Sequence, residues 1–239
     1  MTLEVLFPEL SNLYGDLSNI RYFHACAPDI DIVYTDNRTT PRFVTEPVEM
    51  LYLGSMPESK QLLAVERLKP YADRLRECID NGMVVLATGN AMELFGEYIA
   101  DGDTRVPMLG LFPFHAKRNL SARHNSMFLG EFEDFRIVGY KSQFSFCHGA
   151  FEQTPFVRVV GGVGNAPDDP FEGLHYRHFF ATYLLGPLLV LNPLFTKYLL
   201  RLLGHDDTLA FEAEAMEAYR FRLEHLEEEG VNFLMGEHG

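Results

Sequence analysis

The stretch Val84-Val85-Leu86-Ala87-Thr88-Gly89-Asn90-Ala91-Met92-Glu93-Leu94-Phe95-Gly96 decides the fold. Its four leading apolar residues, with no polar break, read as a strand buried on both faces, which is the mark of a parallel sheet. Thr88-Gly89-Asn90-Ala91 is a tight turn, and the residues after it predict a helix from about Met92 to Ala100. Just upstream, 59–81 sets Leu62, Leu63, Leu68, Leu75 and Ile79 among charges. That is an amphipathic helix, broken in two by Pro70 and closed by Asn81-Gly82. Earlier still, Leu3 to Phe7, Ile30 to Tyr34 and Met50 to Leu53 read as strands, with a helix from Asn19 to Ala27 between the first two. Strands and helices in this alternation imply a parallel sheet with right-handed crossovers. Ligands bind beyond the carboxyl ends of such strands, so a site is expected at Gly54 and at the Thr88 to Asn90 turn.

From Val106 the pattern changes. Short runs at Met127 to Leu129, Arg136 to Tyr140 and Phe156 to Val160 lie between turns and predict a β-rich extension. Gly161-Gly162-Val163-Gly164 lacks the helix and downstream acid of a dinucleotide fingerprint and reads as a loop. Phe195 to Leu203 is helical, and an acidic helix follows at about 207–229. Its stripe of Phe211, Ala215, Tyr219, Leu223 and Leu226 is expected to pack on its own domain, with a partner's surface as the alternative. No repeat or linker interrupts the chain, so 1–239 reads as a single domain.

The 239 residues are 47% hydrophobic and 13% aromatic, enough for a sizeable core. A net charge of −14 and a pI near 5.0 oppose binding to nucleic acid or to an anionic membrane. No basic leader and no apolar run of spanning length is present, so neither a signal peptide nor membrane insertion is expected. Three cysteines without a CxxC pair fit a reducing cytoplasm. Cys26 and Cys78 fall on predicted helices and read as core. Cys147 and His148 are neighbours on a strand and would face opposite sides, which denies them a catalytic partnership. His175 and His178 stand three apart and could share a helical face, yet no acid or cysteine at matching spacing completes a zinc site. Neither metal nor cofactor is expected.

Several motifs, taken in order, resemble the cobyric-acid-synthase branch of the class I (triad) glutamine amidotransferases. They are Asn12-Leu13-Tyr14-Gly15-Asp16 with Asn19-Ile20, Gly54 with Gln61, Asp80-Asn81-Gly82-Met83, and Glu93-Leu94-Phe95-Gly96. Gly164-Asn165, Glu172-Gly173-Leu174-His175-Tyr176 and Thr182-Tyr183-Leu184-Leu185-Gly186-Pro187-Leu188 continue the series. Within that branch the likeness is to glutaminase subunits of lipid II isoglutaminyl synthases. The resemblance implies an α/β, flavodoxin-like fold, with a mostly parallel sheet flanked by helices. It also implies work beside a Mur-ligase-like synthetase in cell-wall (peptidoglycan) or related amidation.

The departures from the family pattern bear on activity. The resemblance puts the nucleophilic cysteine at Gly89 and the histidine base at Leu185, so neither group is present. Ser55 and Met56 replace oxyanion-loop glycines after Gly54, and Gln143 stands where an upstream histidine is expected. Thr88 offers a hydroxyl, but one aimed into the sheet and without a base. Glu93 replaces a glutamine; it either binds a cation or sits in a first helical turn where the dipole favours a carboxylate, and the second reading is preferred. The former glutamine pocket is expected near Gly54, Ser55, Gln61, Thr88, Asn90, Glu93, Gln143 and His175. Three functions follow: a non-hydrolytic subunit that binds a synthetase, an active glutaminase with an unrecognised nucleophile, or a sensor of glutamine or a related small molecule.

Overall fold

The computed structural model describes residues 1–149 and 154–235. In chain order the strands begin with β1 (Thr2–Leu6), β2 (Asp31–Thr35), β3 (Met50–Leu53) and β4 (Val84–Thr88). Next come β5 (Tyr98–Asp101), β6 (Thr104–Pro107), β7 (Phe114–Arg118), β8 (His124–Phe132) and β9 (Phe135–Gln143). The series ends with β10 (Ser145–Gly149), β11 (Pro155–Gly161), β12 (Phe171–Tyr176) and β13 (Phe179–Thr182). Nine of them form one sheet in the order β2-β1-β3-β4-β13-β12-β11-β8-β9. The ladders from β2 to β13 are parallel, which gives the strand order of flavodoxin-like folds with β13 as fifth strand. From β13 to β9 every ladder is antiparallel, so the β-rich segment extends the same sheet. It also supplies a second sheet, β10-β7-β5-β6.

Two apolar layers explain why β3 and β4 read as unbroken apolar runs. Met50, Tyr52, Val84 and Leu86 face one layer, with α1 (Ser18–Cys26), the short α4 (Leu188–Leu191) and α5 (Pro193–Leu202). Leu51, Leu53, Val85 and Ala87 face the other, under α2 (Glu58–Leu68), α3 (Ala72–Asp80) and the small sheet. Between α2 and α3 lies a 3-10 turn, Lys69–Tyr71, where Pro70 denies the helix a backbone donor. α6 (Glu212–Glu227) lays Tyr219 and Leu226 on Leu129 and Val138. Phe211 leaves the expected stripe, being 75% exposed at the left-handed residue before α6.

The helix expected at Met92 to Ala100 does not form. Gly89–Phe95 is a 3-10 turn and Tyr98–Asp101 is β5. All seven residues of that turn are buried, so no solvent-facing stripe exists to organise a helix. Gly96 then passes so close to β7 that a Cβ there would lie 2.7 Å from the Phe114 carbonyl oxygen. His175 and His178 share no helical face either: one lies on β12 and the other in the turn before β13. No helix among the described residues is long and apolar enough to cross a membrane.

Candidate functional site

The parallel strands end in two turns that face each other. After β4, Gly89 holds φ +60°, a left-handed conformation that glycine adopts without steric cost. After β3, Gly54-Ser55-Met56 runs alongside it. A Cβ built on Gly89 would meet the Ser55 Cβ at 2.5 Å and the Leu185 Cδ2 at 3.1 Å. Leu185 is held there by a two-way backbone bridge to Tyr140 on β9, with N–O distances of 3.0 and 3.2 Å. The fold therefore brings together the two positions that the sequence resemblance singled out, although they lie 96 residues apart in the chain.

The amides of the β3 turn are already occupied. Ser55 N donates to Asp16 Oδ2 at 2.8 Å, and Met56 N donates to Asn90 Oδ1 at 3.0 Å. Asn90 Nδ2 returns a bond to the Met56 carbonyl at 2.7 Å, which staples the two turns together. Asp16 also accepts from Thr88 Oγ1 at 2.5 Å and from Asn19 Nδ2 at 2.8 Å. Burial pushes its carboxyl above the usual range, against the pull of those donors. Asp16 is not among the residues expected at the site: it belongs to the Asn12–Asp16 motif, but nothing local reveals that it reaches both turns.

A second polar cluster lies beneath Asn90. Gln61 Nε2 donates to the Asn90 carbonyl at 2.9 Å and to Glu93 Oε2 at 3.0 Å. Arg118 of β7 pairs with Glu93 at 3.1 Å and also bonds Gln61. Tyr183 OH donates to Glu93 Oε1 at 3.0 Å and lies 3.2 Å from the Cys147 sulfur. Burial raises the Glu93 carboxyl, with Arg118 opposing, and pushes the Cys147 thiol well up. The preferred reading of Glu93 as a helix-dipole carboxylate is thus corrected: it is one half of a buried ion pair. Cys147 is buried while His148 turns outward, so the two do face opposite sides. Cys26 and Cys78 lie on α1 and α3 as expected, but half-buried.

Between the turns a cleft is lined by Leu13, Tyr14, Ser55, Glu58, Gly89, Asn90, Arg123, Ser142, Phe144 and Leu185. It encloses about 20 Å³, room for a single water. Tyr14 stands at its mouth in a left-handed conformation (φ +60°), with its hydroxyl 3.1 Å from Ser142 Oγ.

Residues 3–192 match the CobB/CobQ-like glutamine amidotransferase domain. The chain belongs to that family. Among curated proteins it is 25% identical over 223 residues to the lipid II isoglutaminyl synthase (glutamine-hydrolyzing) subunit GatD of Staphylococcus aureus, covering 91% of this chain and 90% of the relative. The GatD subunit of Streptococcus pneumoniae is 26% identical over 196 residues, covering 78% and 74%. In fold the chain is similar to PurLQS from Thermotoga maritima, with TM-score 0.54, 14% identity, and coverage of 93% of this chain and 98% of that one. A crystal structure of a glutamine amidotransferase gives TM-score 0.58 at 14% identity, over 84% and 98%.

On this amidotransferase scaffold the eight expected pocket residues divide. Ser55 and Asn90 line the cleft. Gly54 is close-packed behind it, where a Cβ would lie 2.6 Å from the Ser11 carbonyl oxygen. Thr88 turns down to Asp16 and Tyr52, while Gln61 and Glu93 belong to the cluster beneath. Gln143 is buried on β9 between Ser142 and Phe144, and it is these two neighbours that face the cleft. His175 stacks on Phe180 at 4.5 Å and is no part of the cleft lining. Glu58 and Arg123 also line the cleft, and neither lies in a segment that carries the family resemblance. The described residues hold no group of three or more His, Cys, Asp or Glu side chains placed to bind a metal.

Proposed function

We propose that this chain is a catalytically degenerate glutamine amidotransferase subunit, which binds a Mur-ligase-like synthetase and releases no ammonia itself. One observation carries the reading. The left-handed turn at Gly89 faces the side chain of Leu185, whose Cδ2 would lie 3.1 Å from a Cβ built at position 89, and neither position bears a nucleophile or a proton carrier. The occupied amides of Ser55 and Met56 point the same way, because an oxyanion needs N–H donors that are free to turn toward it. The names of the two GatD relatives support a role in cell-wall or related amidation. An interface depends on surface packing rather than on one thiol, so binding can persist where hydrolysis does not.

The rival readings have less support. Cys147 is fully buried against Tyr183 with its thiol pushed up in pKa, and Thr88 is fully buried with its hydroxyl turned to Asp16, outside the cleft lining, so neither is placed as a substitute nucleophile. The cleft encloses only about 20 Å³, which gives the sensor reading little support.

The test is ammonia release from glutamine by the purified chain. No turnover is expected; turnover would overturn the reading. The restoring variant must be Gly89→Cys, Leu185→His together with Ser55→Gly, since a Cβ at position 89 collides with the Ser55 Cβ. Activity in the triple variant, above that of Gly89→Cys, Leu185→His alone, is the expected outcome.

A further inference from the structure

The small sheet covers the core with one face only. Ile99, Ala116 and Cys147 point inward. Their neighbours on the same strands, Tyr98, His115, Lys117, Phe146 and His148, point away from it. Along one cross-strand row, His148 pairs with His115 and His115 with Tyr98. The rings follow suit: Tyr98 stacks on His115 at 4.7 Å, and His115 lies 5.7 Å from His148. Arg105 caps the row with its guanidinium 4.7 Å from the Tyr98 ring centre. At the other end Phe146 leads, two residues along, to Phe144, which carries Arg123 at 4.5 Å. Phe144 and Arg123 line the cleft mouth. An aromatic band with three permanent cations, Arg105, Lys117 and Arg123, thus runs from the cleft across the outer face of the sheet.

That band is out of keeping with a chain of net charge −14. The geometry points to a docking surface for an acidic segment of a partner protein, one that carries carboxylates beside at least one apolar side chain. The carboxylates meet Lys117 and Arg105, and the apolar group lies on the Tyr98–His115 row. Glu97 lies near His115 and Asp169 near His148, so the partner's carboxylates are placed on the cations rather than on the imidazoles. Nucleic acid is the weaker fit, because three cations are few against a phosphate backbone and the chain's overall charge repels it. Where the partner is the synthetase proposed above, this inference rests on that reading and adds where, and through what chemistry, it docks: over the cleft mouth, by acidic residues.

The test uses the full chain and a labelled peptide of alternating glutamate and phenylalanine, at low and high salt. Binding is expected, weaker at high salt. It should fall about tenfold or more in Arg105→Glu, Lys117→Glu, and be unchanged in Arg67→Glu, an exposed reversal on α2. Equal binding by both variants, no binding at all, or preference for a single-stranded oligonucleotide overturns the proposal. The same variants are then mixed with the Mur-ligase-like synthetase of the source organism. Release by Arg105→Glu, Lys117→Glu alone supports the proposal, and a complex that survives it overturns the band while leaving the proposed function standing. If no synthetase binds but the acidic peptide does, the function reading fails and the band stands.

Discussion

At the scale of single residues, Gly89 shows how one backbone conformation and one missing Cβ hold two turns together. Its φ of +60° is costly for any other residue, and its missing Cβ is what lets Ser55 sit against it. Gly89→Ala therefore carries two penalties, backbone strain of about 1–2 kcal/mol and overpacking of about 1–3 kcal/mol. Ser55→Gly in the same chain should recover the overpacking and leave the strain. Urea unfolding of the two single variants and the double should thus show strong coupling; additive losses would mean that the two turns are not in contact. Motif order singles out Gly89 and Leu185 through the matched residues that flank each of them, and the structure sets the two positions side by side. Asp16, Glu58 and Arg123 carry no local sign of the site, because they come from three segments far apart in the chain, before α1, at the start of α2 and before β8, that meet only in the fold.

At the scale of elements, a buried charge pair ties β9 to β12 across the antiparallel half, and the bonds that Glu172 accepts carry the tie on to the end of β13. Lys141 on β9 lies 3.5 Å from Glu172 on β12, both side chains fully buried. Lys141 also donates to the Gly164 carbonyl at 2.7 Å, and Glu172 accepts from Thr182 Oγ1 at 2.6 Å and Tyr183 N at 2.8 Å. Burial lowers the Lys141 amine, and Glu172 is the group that opposes this. Lys141→Met leaves a carboxylate without its cation, and a loss of about 3–5 kcal/mol in urea unfolding is expected. Lys141→Met, Glu172→Gln should win most of that back, since the amide still accepts from Tyr183 N. Elements themselves were legible where one rule dominated: β4 by its apolar run, the break between α2 and α3 by Pro70. They were illegible where tertiary contact overrode local pattern. The residues 92–100 carry good helix formers, yet the approach of Gly96 to Phe114 and the ladder of β5 with β7 give them a turn and a strand. Glu93 misled for the same reason, its partner Arg118 being 25 residues away on a strand.

At the scale of the whole molecule, the family likeness and the packed structure have different extents. The amidotransferase match ends at residue 192, before α5 begins at Pro193, whereas α6 and the segment after it close over the antiparallel half. Tyr219 and Leu226 bury against Leu129 and Val138, and Tyr219 OH donates to the Arg136 carbonyl at 2.7 Å. Beyond α6 the chain returns to β8, where Met127 N donates to the Phe233 carbonyl at 2.8 Å and Met235 N to the Asn125 carbonyl at 3.1 Å. The two large apolar layers around β3 and β4 contain no residue of α6. A chain cut after Ala210 keeps those layers and Leu209, but exposes Leu129 and Val138. Loss of the two buried side chains, at about 1.5–3 kcal/mol each, should lower stability by about 3–6 kcal/mol. The parallel half should stay folded, so amide exchange is expected to accelerate in β8, β9 and β11 and to remain slow in β1, β3 and β4. Uniform acceleration across all six strands would instead mean that the two halves unfold as one unit, with α6 a keystone of the whole sheet rather than a cover for half of it.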